Sequence, residues 1–184
     1  MKLEKRILDG CRKGKRKHQK ELYEHFYAYG IGIGYRYAYN REDAQEILND
    51  SFMKIFKNID GFNEEKSFLP WFRKIIINTA IDFYKTTRNY KDSIQPEAVE
   101  VEIFDTETLD YLDLDDLMGL LNELPEMYRL IFNLYEMEGY SHEEIAKMLG
   151  IGSSTSRSNL TRAKRLLRLR YKQYYAKDYE RNVR

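Results

Sequence analysis

The 184 residues, 42% hydrophobic and 33% charged, suffice for one or two small domains with real cores. No apolar run approaches the roughly 20 residues a spanning helix needs, and the opening Met1-Lys2-Leu3-Glu4-Lys5-Arg6 lacks the apolar stretch of a secretory signal, so neither membrane insertion nor export is expected. The net charge is only +1, but the charges are sorted along the chain: basic from Lys2 to Lys20, acidic in the middle, and basic again from Arg157 onward.

Residues 1–90 read as a first helical domain. Its lone cysteine, Cys11, has no partner for an internal disulfide or a thiolate zinc cluster, and a reducing cytoplasm is the expected location. Leu22, Phe26 and Tyr29 continue an apolar face; Ala44, Ile47, Leu48, Phe52, Ile55, Phe56 and Ile59 make a longer one, and Phe68, Phe72, Ile75, Ile76, Thr79 and Phe83 another, all at helical spacing. One segment resists. Tyr29, Ile31, Ile33, Tyr35, Tyr37 and Tyr39 alternate with small or polar residues at the period of a strand, and Gly30, Gly32 and Gly34 would each cost a helix about 1 kcal/mol relative to alanine. Helix is still the expectation, because no second convincing strand is available to pair with it.

Residues 91–116 carry Asp92, Glu97, Glu100, Glu102, Asp105, Glu107, Asp110, Asp113, Asp115 and Asp116 without one Lys or Arg between them. A stretch so acidic, holding Pro96 and few large apolar residues before Leu109, does not bury enough surface to fold by itself and reads as a linker.

Residues 117–184 read as a second helical domain. Leu112, Leu114, Leu117, Leu120, Leu121 and Leu124 lead to Pro125, which suits the first turn of a helix burying Met127, Leu130, Ile131, Leu134 and Tyr135. Gly139 ends that helix. Ser141 and Glu144 then have the spacing of a reciprocal capping box; Ile145, Ala146 and Leu149 supply a buried face, Gly150 takes a helix-ending positive φ, Ile151 pins the turn, and Ser153 or Ser154 caps the next helix. In that second helix Leu160, Ala163, Leu166 and Leu167 fall on one side, leaving Arg157, Ser158, Thr161, Arg162 and Arg165 to face a groove. Capping box, glycine turn and basic second helix together predict a DNA-binding helix-turn-helix. The expected class is all-α: two small helical domains joined by an acidic linker. After Leu169, Tyr171, Tyr174, Tyr175 and Tyr179 either extend an aromatic face or fray.

An enzyme fits poorly. There is no phosphate-binding Gly-Lys-Ser/Thr run, His18, His25 and His142 are scattered, His142 reading as an exposed helix residue, and Cys11 has no thiol partner, so no catalytic group, metal or cofactor is expected. Another reading is a self-sufficient helix-turn-helix repressor or activator. Against it, Phe62, Phe68, Trp71, Phe72, Phe83 and Tyr84 interleave with Lys66, Arg73, Lys74, Lys85 and Arg88, a pattern that stacks unpaired bases and holds phosphates, which a duplex reader does not need. Phe72 and Phe83 fit the apolar stripe and are assigned to the core.

These motifs, in this order, resemble the extracytoplasmic-function group of bacterial sigma factors, which keep regions 2 and 4. Region 2 is matched by Leu22-Tyr23, the run from Asn40 to Phe52, Phe68-Leu69-Pro70-Trp71-Phe72-Arg73-Lys74-Ile75 and Asn78-Thr79-Ala80-Ile81-Asp82; region 4 by Leu124-Pro125, Tyr128-Arg129, Gly139-Tyr140-Ser141, Glu144-Ile145-Ala146 and residues 155–163. The resemblance implies a protein that binds core RNA polymerase, at the clamp helices of the largest subunit and the flap region, directs it to promoters and assists strand opening.

It further implies three sets of site residues. Asp43, Glu46, Asn49 and Asp50, with Ile47 for apolar contact, dock on polymerase; Asn49 stands where the family usually has glutamine. Phe62, Asn63, Lys66, Ser67, Trp71, Arg73, Lys74, Asn78, Lys85 and Arg88 serve melting, the loop from Gly61 to Ser67 accepting a flipped base. Thr155, Ser156, Arg157, Ser158, Asn159 and Arg162 contact the upstream element, with Lys164 and Arg165 as electrostatic partners; Asn159, replacing a usual arginine, predicts a preference shifted toward adenine. The acidic linker has two readings, a mimic of a nucleic-acid backbone in a basic channel or a soluble tether. The family often adds an anti-sigma factor, membrane-linked, that clamps both domains.

Overall fold

The computed structural model describes the backbone of residues 5–90 and 119–182 and the side chains of 5–87 and 119–174. The expected linker, Leu112, Leu114 and Leu117, and the side chains of Arg88, Tyr175 and Tyr179 lie outside the described residues. The described residues are helical throughout their regular structure, with no strand among them. The chain divides into two compact units, 1–92 and 93–184.

In the first unit, α1 (Lys5–Arg12), α2 (Arg16–Tyr37), α3 (Arg41–Asn58), a 3-10 turn (Ile59–Gly61) and α4 (Phe68–Tyr90) follow one another. Asn40 starts α3 by accepting a 2.7 Å hydrogen bond from the Asp43 amide, and Glu42 and Asp43 in the first turn complement the helix dipole. The apolar faces meet in an aromatic centre. Phe26 packs 4.7 Å from Phe68, Phe52 5.1 Å from Phe72, and Phe68 5.8 Å from Phe72, ring centre to ring centre. Cys11 of α1 is buried as well, and burial pushes its thiol up to about 11, so it is poorly ionised at neutral pH.

The alternating segment lies within α2 as far as Tyr37, with Tyr39 just beyond the helix end. Burial resolves the conflict of periods: Gly30, Ile33, Gly34 and Tyr37 face inward, spaced three and four residues apart, while Tyr35 and Tyr39 stand exposed. Two of the glycines do work there. A Cβ on Gly30 would lie 2.5 Å from Leu48 Cδ1 and 2.9 Å from Phe72 Cζ, and one on Gly34 would lie 3.1 Å from the Ala44 carbonyl oxygen. The missing side chains let α2 approach α3 and α4, and that contact outweighs the propensity cost.

The second unit contains helical residues 119–122, α5 (Glu126–Phe132), a π-helical turn (Asn133–Met137), α6 (His142–Leu149) and α7 (Ser153–Asn182). Pro125 stands at the N-cap of α5, one place before the expected first turn, and its carbonyl accepts from the Tyr128 and Arg129 amides. Leu130, Ile131 and Leu134 are buried as expected, whereas Met127 is half-buried and Tyr135 exposed. The π turn inserts a wider ring, with the Glu138 amide reaching back to the Asn133 carbonyl at 3.0 Å, and so turns Tyr135 off the buried face. Buried Arg129 donates to Asn122 Oδ1 at 3.0 Å.

Candidate nucleic-acid and polymerase interfaces

The helix-turn-helix is built locally. Ser141 Oγ accepts from the Glu144 amide at 3.2 Å while Glu144 Oε2 accepts from the Ser141 amide at 2.8 Å, the full capping box. Those bonds hold the Glu144 carboxyl below its ordinary range. Gly150 ends α6 at φ 70°, and both its amide and that of Ile151 reach the Ala146 carbonyl. α7 begins at Ser153, so this residue lies inside the first turn rather than before it, and its hydroxyl accepts from Arg157 Nη2 at 3.1 Å.

Along α7, Thr155, Ser158 and Arg162 form an exposed stripe, flanked by exposed Arg157 and Thr161. Arg157 also pairs with Glu143 at 3.2 Å. The Glu143 carboxyl is held low by a bond from its own backbone and then by Arg157. Two of the expected base contacts are not on this stripe. Ser156 is 0% and Asn159 8% exposed, both on the buried side with Leu160, Ala163 and Leu167. Their place in the motif suggested base contact, but the 3.6-residue period places 156, 159, 160, 163 and 167 together against the unit's core. Ser156 Oγ shares a 2.9 Å hydrogen bond with His142 Nδ1, and the His142 ring stacks on Tyr135 at 4.5 Å. His142 is thus a half-buried tie between the two helices, not an exposed bystander. Lys164 lies off this stripe and pairs with Glu136 at 2.6 Å, whereas Arg165, seven residues after Ser158, continues the angle of the stripe but is half-buried, its Nε and Nη2 without a hydrogen-bond partner.

A second surface runs down α4. Trp71, Lys74, Asn78 and Lys85 recur at three-, four- and seven-residue intervals and share one side, with Trp71 half-buried and the other three exposed. Arg73 is half-buried about 200° around the helix from Trp71, so it does not join this stripe. Phe62, expected to meet a base, is 6% exposed and packs 5.0 Å from Trp71 and 5.5 Å from Phe68. It supports the tryptophan from beneath. In the preceding loop Asn63 and Lys66 are exposed and Ser67 half-buried; Asn63 Oδ1 accepts from the Glu65 amide at 2.8 Å, shaping the turn.

The third surface is on α3. Glu46, Asn49 and Asp50 are exposed and Asp43 half-buried, and with Arg41, Glu42 and Gln45 most of them line a shallow groove. Ile47 is 1% exposed and belongs to the core, since it shares its stripe with Ala44, Ser51 and Ile55. Sequence reasoning missed the partners that order this face. Gln45 Nε2 donates to Tyr23 Oη at 2.9 Å and to Asn49 Oδ1 at 3.1 Å, Tyr23 donates to Asn49 Oδ1 at 3.1 Å, and Tyr27 donates to Gln45 Oε1 at 3.0 Å. The paired i, i+4 spacing of Tyr23/Tyr27 and Gln45/Asn49 was the available signal.

A helix-turn-helix with a cationic, hydroxyl-bearing stripe, in one chain with a helical unit bearing a tryptophan–lysine stripe and an acidic face, defines an all-helical nucleic-acid-binding protein of two parts. Comparison with known proteins narrows the class. Residues 22–90 match the family described as Sigma-70 region 2, and residues 114–167 match Sigma-70, region 4. The RNA polymerase sigma factor SigV of Bacillus subtilis is 28% identical over 145 residues, covering 74% of this chain and 81% of the relative. The ECF RNA polymerase sigma-E factor of Haemophilus influenzae is 26% identical over 148 residues, 74% and 78% of the two chains. In fold, the chain is similar to the sigma factor RpoE solved with the anti-sigma factor NepR from Bartonella quintana, with TM-score 0.51 and 24% identity, over 83% of this chain and 96% of that one. The chain belongs to the sigma-70 family, in its extracytoplasmic-function group. It is a promoter-specific factor of transcription initiation. Among the described residues no helix is long and apolar enough to cross a membrane.

Proposed function

We propose that the three surfaces divide the work of initiation. Residues 1–90 dock on core RNA polymerase through Asp43, Glu46, Asn49 and Asp50 and open the duplex with Trp71, Lys74, Asn78, Lys85 and the exposed loop residues Asn63 and Lys66. Residues 91–116 connect the units, and residues 117–184 read the upstream element through Thr155, Arg157, Ser158 and Arg162. The observation that carries this reading is the sorting of α7, where hydroxyls and guanidiniums share one exposed side while Ser156, Asn159, Leu160, Ala163 and Leu167 fill the other.

The physical roles differ. Carboxylates on α3 complement basic polymerase residues and set orientation and encounter rate more than raw affinity. A base stacked on Trp71 recovers about 1–3 kcal/mol of the unpairing cost. Guanidiniums on α7 hold phosphates and base edges, a contribution that fades steeply with salt. Bond-making chemistry belongs to the polymerase; this chain binds and orients, in the cytoplasm, with an anti-sigma protein as regulatory partner of the kind NepR is to RpoE.

Trp71→Ala and Arg162→Ala test the division in transcription with core polymerase. Trp71→Ala should slow opening on duplex promoters by roughly 5- to 150-fold and recover on a template already unpaired over the start region. Arg162→Ala should weaken promoter binding without that recovery. Equal defects for both variants on both templates would contradict the assignment.

A further inference from the structure

Arg12 lies ten residues before the first residue matched to region 2, in the last turn of α1, yet it reaches the loop that precedes α4. Its Nη2 donates to the Phe62 carbonyl at 3.2 Å, its Nη1 pairs with Glu64, and its Nε lies 3.9 Å from Asp60 Oδ1. Asp9, one turn earlier on α1, sits 3.7 Å from Nη1 and steadies the guanidinium. A single planar group therefore grips the loop at three residues. Its middle contact is the backbone of Phe62, whose ring underlies Trp71 at 5.0 Å.

The charges make the contact more than a brace. Between residues 60 and 66 the loop carries Asp60, Glu64 and Glu65 against Lys66, an excess of two negative charges next to a stripe offered to a DNA strand. Arg12 faces Asp60 and Glu64, and its hydrogen bond holds the Glu64 carboxyl below the ordinary range. A lysine would supply the charge but not the fork that meets a carbonyl and a carboxylate together.

We propose that Arg12 is a positioning residue for promoter selectivity: it sets the shape of the loop from Gly61 to Ser67 and screens its carboxylates from the unpaired strand. The proposal rests on the reading that this loop accepts an unpaired base. Without Arg12 the loop backbone loses its hold at Phe62 and two carboxylates turn toward DNA phosphates.

The test uses the full chain bound to core polymerase and a randomised pool of single-stranded oligonucleotides, sequenced before and after capture. Arg12→Gln should flatten base preference at one position by roughly tenfold, as expected for a charged hydrogen bond lost, and Arg12→Lys should fall between it and the parent. Arg6→Gln, which breaks the pair between Arg6 on α1 and Glu21 on α2, should leave the preference unchanged. Arg12→Lys also guards against misfolding, since its polymerase affinity and melting temperature should match the parent. Parental selectivity in both Arg12 variants, with a shifted preference in Asn63→Ala and Lys66→Ala, would overturn the role of Arg12 alone. Parental selectivity in the loop variants as well would overturn the base-accepting loop and this inference with it.

Discussion

Gly30 and Gly32 sit two residues apart in α2, and alanine should act on them with opposite sign. A Cβ at position 32 meets nothing within 4 Å, so Gly32→Ala gains only the helix propensity of alanine, about 1 kcal/mol. At position 30 the same atom would lie 2.5 Å from Leu48 Cδ1 and 2.9 Å from Phe72 Cζ, both side chains fully buried with little space to retreat. Overpacking of this kind costs about 1–3 kcal/mol; for so close a contact we take about 2–3, which leaves a net loss of about 1–2 kcal/mol after the propensity gain. At roughly 4–8 °C per kcal/mol for a small domain, Gly32→Ala should raise the melting temperature of the first unit and Gly30→Ala should lower it by a similar or larger amount. Thermal melts followed by circular dichroism measure both. Gly30→Ala should also weaken polymerase binding, because α2 carries the tyrosines that order the acidic face of α3. Shifts of the same sign in the two variants would refute the close-approach reasoning.

Other outcomes follow from named contacts. Asn159→Arg should destabilise the second unit by about 1–3 kcal/mol, seen as a lower melting temperature, because position 159 is only 8% exposed; intact stability with a new base preference would return Asn159 to the readout. Tyr23→Phe removes the donor to Asn49 and the acceptor for Gln45, and should weaken core-polymerase affinity roughly three- to tenfold without changing promoter preference, as measured by fluorescence anisotropy. Glu144 has a folded pKa below its ordinary 4.5, so its stabilising contribution is present above that value and is lost as pH falls through the folded value. The stability gap between the parent and Glu144→Gln should therefore close as pH drops below about 4.5, and a gap that widens there would contradict the capping assignment.

Local devices were readable from the sequence because their partners are three or four residues away. The Ser141–Glu144 box, the Gly150 turn and the buried rings Phe52, Phe68 and Phe72 stand where spacing puts them, while Phe56 and Phe83, expected on the same faces, are only half-buried. Ser156 and Asn159 were assigned to the readout by their place in the motif, whereas both lie on the buried side of α7, where His142 from the neighbouring helix satisfies Ser156. Ile47 and Phe62 were assigned to interfaces by position in a motif, but each lies on a stripe its own helix or loop must bury. The glycine alternation in α2 imitated a strand since glycine at 30 and 34 serves contacts with residues 44, 48 and 72, distant in sequence. For the Tyr23–Gln45–Asn49 network the i, i+4 spacing shows only which residues share a face of each helix; its bonds between helices, like the Arg12 grip, join residues more than 20 positions apart, which periodicity does not pair.

Transcription by core RNA polymerase stripped of its own specificity subunit, on a library of bacterial promoters with and without this chain, bears most directly on the whole account. Addition of the chain should produce starts at a small set of promoters sharing an upstream element and a downstream element, and Trp71→Ala should abolish most of them. A polymerase that starts nowhere new in its presence, although the chain is folded and bound to duplex DNA by itself, would contradict it.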